Sequence, residues 1–354
     1  MQKRVSIVKC ESYNECEAAI DRSVRLIGGW KRFVKKNDQV LIKPNMLVGK
    51  GPEHAVTTHP AMIEAIIKKV QEQGAEVIVG DSSASRNFSQ VADKTQLGQM
   101  CKRLGVRLIE LEKPVWIDSN GTLVKKFPIS NTVMKADLVI NVPKLKTHIF
   151  TAYTGAVKNL FGTLPGHLKS HFHLKYMDKT KFSEMLLELY MTINPGLTIM
   201  DAVIGMEGAG PGQGKPKYLG MVIAGDDALA VDQEAARIVG LEKAPMFEVA
   251  KERGLVATYE VTGDKVARQM IEPADGVISS LRHRLFDIRA GLTRRITKPV
   301  VGDECTGCEE CKRICPVHAI NVKKKAEIDY SKCIKCFCCY EVCSYDAIKL
   351  QRFK

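Results

Sequence analysis

No stretch of this 354-residue chain approaches the ~20 consecutive apolar residues that cross a bilayer. Its first ten residues, Met1 to Cys10, open with two basic side chains, Lys3 and Arg4, followed by an alternating strand-like run. They lack the apolar centre and small-residue cleavage site of a secretory signal, so a cytoplasmic chain is expected. Cysteine is nearly missing from the first 300 residues, which contain Cys10, Cys16 and Cys101 alone. That scarcity excludes a disulfide framework stapling the whole fold. Aromatic-interleaved and zinc-finger patterns are also missing, which argues against nucleic acid as a partner. What is present is ordinary for a folded protein: 45% hydrophobic and 26% charged residues. The length suits one large domain and a small one.

The other nine cysteines crowd between Cys305 and Cys343. Cys305, Cys308, Cys311 and Cys315 recur 28 residues later as Cys333, Cys336, Cys339 and Cys343, and Ala319-Ile320 recurs at the same offset as Ala347-Ile348. Each half reads C-x2-C-x2-C-x3-C, which resembles the bacterial two-cluster ferredoxin. The first three cysteines are expected on a tight loop converging on one cubane, and the fourth at the start of a helix leading to the other. The implied sets are Cys305, Cys308, Cys311 and Cys343 on one [4Fe–4S] cluster, and Cys333, Cys336, Cys339 and Cys315 on the second. Pro316 matches the ferredoxin motif; Ser344 departs from it where a proline is usual. Zinc is the competing ligand, but its structural sites take four ligands in two spaced pairs and have no need of eight. Cys338 is surplus, and a small buried thiol beside a cluster is the expectation for it. Such a module moves one electron at a time, usually at low potential.

The formal charge of +13 hides an asymmetry. From Val300 onward ten basic residues face eight acidic ones. Two oxidised cubanes with cysteinate ligands, each about −2, bring the whole protein to roughly +9 and turn the tail negative. The positive charge therefore belongs to the larger domain and points to a small anionic substrate or an acidic redox partner protein.

The first 270 residues alternate short β-branched runs with helix-like stretches. Val5–Val8, Val40–Lys43, Glu76–Gly80, Val106–Leu111, Ala136–Val142, Leu197–Met200 and Leu219–Ala224 read as strands. Cys16–Leu26, Pro60–Gln73, Gln90–Leu104, Lys181–Tyr190 and Asp227–Val239 read as helices. The expected fold is α/β: a large, mostly parallel sheet domain over 1–275, followed by a small α+β ferredoxin-like domain over 300–354. A hairpin is expected around Asn120-Gly121. The intervening 276–299 reads as a basic amphipathic linker helix, packing on a domain rather than lying on a membrane.

Polar clusters fall where the strands should end, the usual ligand position in open α/β sheets. They include Lys43 and Asn45, Asp81 and Ser82, Asn141 to His148 with Lys144 and Lys146, then Lys158 and Asn159. His167, Lys169, His171 and His173 follow, and Gly205 to Pro216 is expected as a glycine-rich loop. Gly208-Ala209-Gly210 is neither a Walker loop nor a dinucleotide fingerprint. Plainer readings stand beside these: Asp81 and Ser82 as helix caps, the His167 to Lys175 stretch as a solvated loop. A histidine metal site there lacks a cysteine or aspartate at matched spacing.

Lys43-Pro44-Asn45, Thr58-His59-Pro60, Gly80-Asp81-Ser82, Asn141 to His148 and Ala156 to Gly162 together resemble the DUF362 family, over the N-terminus to about residue 270. A more distant similarity is to the lactate racemase fold, by analogy of fold alone. The DUF362 resemblance implies the architecture and the place of the site, not a reaction. The reading that follows is an iron–sulfur oxidoreductase. Lys43, Lys144, Lys146 and Lys158 would hold an anion, with Asn45, Ser82 and Asn159 beside them; His148 or His171 would supply a proton and Asp81 would orient a partner or act as base. A further organic cofactor is left open. The rivals are an electron carrier or maturation partner without chemistry of its own, and a ligase or isomerase whose clusters are structural.

Overall fold

Near-continuous apolar runs suit strands covered on both faces, and the computed structural model arranges them so. It describes residues 2–85, 87–166, 168–256, 258–274 and 296–353. In the larger domain the strands are β1 (Lys3–Lys9), β2 (Gln39–Pro44), β3 (Glu76–Asp81), β4 (Arg107–Glu110), β5 (Pro114–Asp118), β6 (Lys126–Ser130), β7 (Leu138–Val142), β8 (Lys144–His148), β9 (Ala152–Thr154), β10 (Leu197–Glu207), β11 (Lys215–Gly225) and β12 (Tyr259–Gly263). The main sheet runs β12-β1-β11-β10-β7-β2-β3-β4, with β8 against β10 and β9 against β8. Most neighbours are parallel; β11 is antiparallel to both β1 and β10, and β9 to β8. β5 and β6 form the separate hairpin expected from Asn120-Gly121.

Alternation along the strands fills two cores. Val40 and Ile42 of β2 join Ile140 of β7 and the helices Cys16–Leu26 and Pro60–Glu72 on one face. Leu41 and Val139 point the other way, toward the helices Lys179–Ile193 and Ala228–Val239. The isolated cysteines Cys10, Cys16 and Cys101 belong to the first of these cores. Burial raises their thiols to about 11, about 12 and about 11 respectively.

Four expectations change. The stretch Gln90–Leu104 divides into helices Phe88–Lys94 and Leu97–Arg103, because Gln96 takes a left-handed φ of 62°. The glycine-rich loop is shorter than expected, 208–214, since β10 runs on to Glu207 and β11 begins at Lys215. Lys144 to His148 is a strand, and Leu168–Lys175 is a helix instead of a loop. The linker helix expected over 276–299 falls largely on residues outside those described. Its last residues belong to β13 (Ile296–Val301), which pairs with β14 (Ile348–Phe353). Among the described residues no helix is long and apolar enough to cross a membrane.

The ends of β2 and β3 are tied by a buried ion pair: Lys43 Nζ lies 2.7 Å from Asp81 Oδ1. Asp81 Oδ2 accepts the Met46 N–H at 2.7 Å, and Oδ1 also accepts that of Ser82 at 2.9 Å. Gly162 closes over the pair; a Cβ there would stand 2.2 Å from Asp81 Oδ1. Asp81→Ala leaves Lys43 buried and unpaired, and should lower stability by about 3–5 kcal/mol in anaerobic urea unfolding followed by circular dichroism. The double change Lys43→Met with Asp81→Leu should recover most of that loss. Iodoacetamide at pH 8 should leave Cys10, Cys16 and Cys101 unmodified in the folded protein, as read by peptide mass spectrometry.

Candidate functional site

Three of the four lysines expected to hold an anion have their charge committed elsewhere. Lys43 is paired with Asp81 and also donates to Pro44 O at 3.0 Å. Lys144 donates to Asp201 Oδ2 at 2.9 Å and to Tyr13 Oη at 2.8 Å, and Tyr13 in turn donates to Asp201 Oδ1. Lys146 donates to Val56 O at 2.6 Å and to Asn45 Oδ1 at 2.9 Å. With no carboxylate in contact, burial pushes Lys146 well below the usual lysine range, and the Lys158 and Lys144 charges add to the fall. Asn45 and Asn159 extend the chain: Asn45 Nδ2 donates to Asn159 Oδ1, and Asn159 Nδ2 donates to Asn141 Oδ1. These groups form a hydrogen-bonded floor at the strand ends.

Lys158 differs. It lines a cavity that opens to solvent and has no hydrogen bond or ion pair among the described residues. The larger domain also contributes Asn45, Asp81, Ser82, Lys169 and His173 to this cavity, while Ile314, Cys338 and Glu341 come from the C-terminal module. Lys169 sits in the wall with its ammonium on Ser82 O, Ser82 Oγ and Ser83 O. Burial lowers it to about 8. His171 lies on the exposed side of its helix. His173, two residues on, is the histidine that reaches the cavity, stacked on Phe182 with ring centroids 4.5 Å apart. Burial first, then the nearby lysines, brings it to about 3, so it is neutral at ordinary pH.

His148 stands behind the cavity. Its Nδ1 accepts the backbone N–H groups of Phe150 at 3.0 Å and Thr151 at 3.3 Å. The neutral ring therefore carries its proton on Nε2, and burial followed by the Lys158 charge keeps it neutral. Nε2 lies 3.3 Å from Glu341 Oε1, yet both atoms are buried without a hydrogen-bond partner in proper alignment. Glu341 was not singled out from sequence. It sits between two cysteines of the ferredoxin pattern, and no local signal marks it.

The C-terminal module is fixed over the sheet ends. Lys50 Nζ reaches both oxygens of Asp346 at 2.6 Å and Gly212 O at 2.8 Å. Gln213 Nε2 donates to Ile348 O, and Tyr340 Oη donates to Ala209 O at 2.6 Å. The glycines after β10 serve this contact: a Cβ on Gly210 would stand 2.2 Å from Thr147 O.

Within the module, a cavity of about 360 Å³ is lined by Cys305, Cys308, Cys311 and Cys343. A second, of about 330 Å³, is lined by Cys315, Cys333, Cys336 and Cys339, with Cys338 among its walls. The fourth cysteine of each half closes a helix instead of opening one. Cys315 follows Glu310–Ile314 and Cys343 follows Cys338–Val342. Backbone N–H groups of Ala319, Ala326 and Ala347 point at Sγ of Cys315, Cys305 and Cys343 at 3.2–3.3 Å. Among the described residues no three His, Cys, Asp or Glu side chains close on one point, as a single ion needs. Thiols standing back around an apolar space, with N–H groups aimed at sulfur, fit an iron–sulfur cubane. Burial, with the neighbouring Cys308, Cys305 and Cys343, raises Cys311 to about 12, so cluster assembly must displace protons.

Cys338 lines both the second cysteine cavity and the larger cavity that holds Lys158.

Comparison with known proteins agrees with this division. Residues 299–344 match the 4Fe-4S dicluster domain, so the module is a ferredoxin-like electron-transfer domain. The chain is 41% identical over 61 residues to pyruvate synthase subunit PorD of Methanothermobacter marburgensis, covering 17% of this chain and 73% of that protein. A likeness to the lactate racemase apoprotein of Thermoanaerobacterium thermosaccharolyticum covers 68% of this chain and 58% of that one, with 12% identity and a TM-score of 0.45. The thylakoid-associated protein sll1697 of Synechocystis sp. is 33% identical over 258 residues, 72% of this chain and 80% of that protein. With residues 40–237 matching the Domain of unknown function DUF362, the chain belongs to the DUF362 family.

Proposed function

We propose that the protein is an iron–sulfur oxidoreductase that reduces a small anionic substrate held between its two domains. Cys305, Cys308, Cys311 and Cys343 would hold one [4Fe–4S] cluster, and Cys315, Cys333, Cys336 and Cys339 the other. Bound there, the clusters supply electrons singly and at low potential. The observation that carries the reading is Cys338: one residue lines both the second cysteine cavity and the cavity that holds Lys158. Lys158 binds the substrate's acid group, since its ammonium has no competing partner. Lys43 and Asp81 shape the cavity floor as a pair, and neither acts on substrate. His148 works through Glu341, which it faces, and His173 is the imidazole at the substrate's side. The rival reading, a carrier without chemistry, leaves an unpaired cation beside a cluster site unexplained.

The ligand sets are tested by spectroscopy. Cys343→Ala should perturb the same paramagnetic signal as Cys308→Ala, and Cys315→Ala the same one as Cys336→Ala; the opposite grouping removes the crossed assignment. The substrate site is tested by mixing anaerobically reduced protein with unsaturated carboxylates and phosphate esters and following the cluster absorbance. Lys158→Met should slow re-oxidation by any effective acidic acceptor about 10- to 100-fold, the loss of one charge-assisted hydrogen bond. Re-oxidation by oxygen should not change. Equal rates for every acidic acceptor in both proteins would remove Lys158 from the site.

A further inference from the structure

The polar groups around the interdomain cavity divide by whether their bonding is complete. Asp81 accepts from Lys43, Ser82 and Met46, and Lys169 donates to three oxygens. Two groups stand out from this pattern. Lys158, from the larger domain, makes no hydrogen bond or ion pair among the described residues, and feels the Glu341 charge only at longer range. Glu341, from the C-terminal module, is 8% exposed, and its Oε1 has no hydrogen bond despite His148 Nε2 at 3.3 Å. A buried carboxyl without a full set of partners is costly, and a bound molecule is one way to complete it. The fixed tautomer of His148 puts its N–H on the nitrogen nearest Glu341 Oε1, without the alignment of a hydrogen bond.

We infer that the cavity is built for a bifunctional acid: a carboxylate that meets Lys158 and, across the molecule, an N–H or O–H donor that meets Glu341. Between these poles Leu47, Ala84, Phe161 and Ile314 offer an apolar surface, so the connecting skeleton is hydrocarbon or aromatic. Such a ligand touches both domains at once. The inference rests on the cavity being the substrate site, and it narrows the substrate class from anions in general to amino- or hydroxy-substituted acids. A simple diacid or phosphate ester would place a second negative charge against Glu341 and be disfavoured.

The test uses oxidised, cluster-loaded protein and calorimetry, with no electron transfer in the readout. Three probes share one skeleton and differ at the ring position opposite the acid chain: 3-phenylpropionate, 3-(4-aminophenyl)propionate and 3-(4-hydroxyphenyl)propionate. At least one donor-bearing probe should bind about tenfold or more tightly than 3-phenylpropionate, because a site made to accept a hydrogen bond rejects the analogue that lacks it. Which of the two binds tighter tells N–H from O–H. Glu341→Met should abolish the preference of the donor-bearing probes over 3-phenylpropionate; Lys158→Met should weaken all three. Binding of 3-phenylpropionate that depends on Lys158, with no donor preference in the unaltered protein, overturns the inference and leaves the anion site standing. A preference that survives Glu341→Met also overturns it. No binding by any of the three overturns it together with the cavity's assignment. The wild-type comparison decides the matter even where a variant fails to fold.

Discussion

A cation buried without a partner is among the costliest features a folded chain can contain, and this constraint sorts the lysines at the sheet's ligand-binding end. Lys43, Lys144 and Lys146 are 0–2% exposed. Each must therefore be met by protein atoms, and each is: by Asp81, by Asp201 with Tyr13, and by Asn45 with Val56 O. Their bonds reach across neighbouring strands and loops, so the charges that look like ligand binders are the stitching that shapes the sheet's end. Lys158 is less buried than these three and faces a space large enough for a small molecule. It can remain unpaired until something fills that space.

The same logic explains why the ferredoxin module is needed to complete the site. The larger domain alone would leave Lys158 and His173 at an open surface. Tyr340 on Ala209, Lys50 on Asp346 and Gln213 on Ile348 set the helix Cys338–Val342 over that surface. The residues of this helix face two ways. Cys339 belongs to a cluster cavity, Cys338 is shared, and Glu341 faces the ligand space. A shift of one residue along the helix would turn the carboxyl away, so the spacing of the cysteine pattern also fixes where Glu341 points.

Much of this architecture was readable from sequence, because hydrophobic periodicity and cysteine spacing are local signals. The strands β2, β3 and β7, the helices Cys16–Leu26 and Pro60–Glu72, and the doubled cysteine repeat all lie where the pattern puts them. The breaks came where a single backbone torsion or a tertiary contact decides: Gln96 dividing a helix, or the glycines around Gly210 passing beneath the ferredoxin module. At the site, sequence identified the right residue types but not which of them were already satisfied. Nothing local separates Lys146 from Lys158, or His171 from His173; only the fold assigns their partners. Glu341 was invisible because its role depends on a domain contact more than 190 residues away in sequence, at His148.

Electrostatics gives the unpaired lysine a further reason. A four-cysteinate cubane brings about two negative charges into the wall beside the cavity. On the proposed reading, an acid group seated there without compensation would be repelled by the centre meant to reduce it, and each added electron would deepen that repulsion. Lys158 lies on the substrate's side of Cys338, where its charge opposes both effects at short range in a poorly solvated space. Burial pulls both Lys158 and Lys146 down from the usual lysine range. The Glu341 and Cys338 charges oppose the fall at Lys158, whereas neighbouring lysines add to it at Lys146. In the proposed oxidoreductase Lys158 would therefore do two things: attract the acid, and shield that acid from the cluster. A neutral residue at 158 would lose both, which is why the position cannot be treated as one more surface lysine on a basic protein.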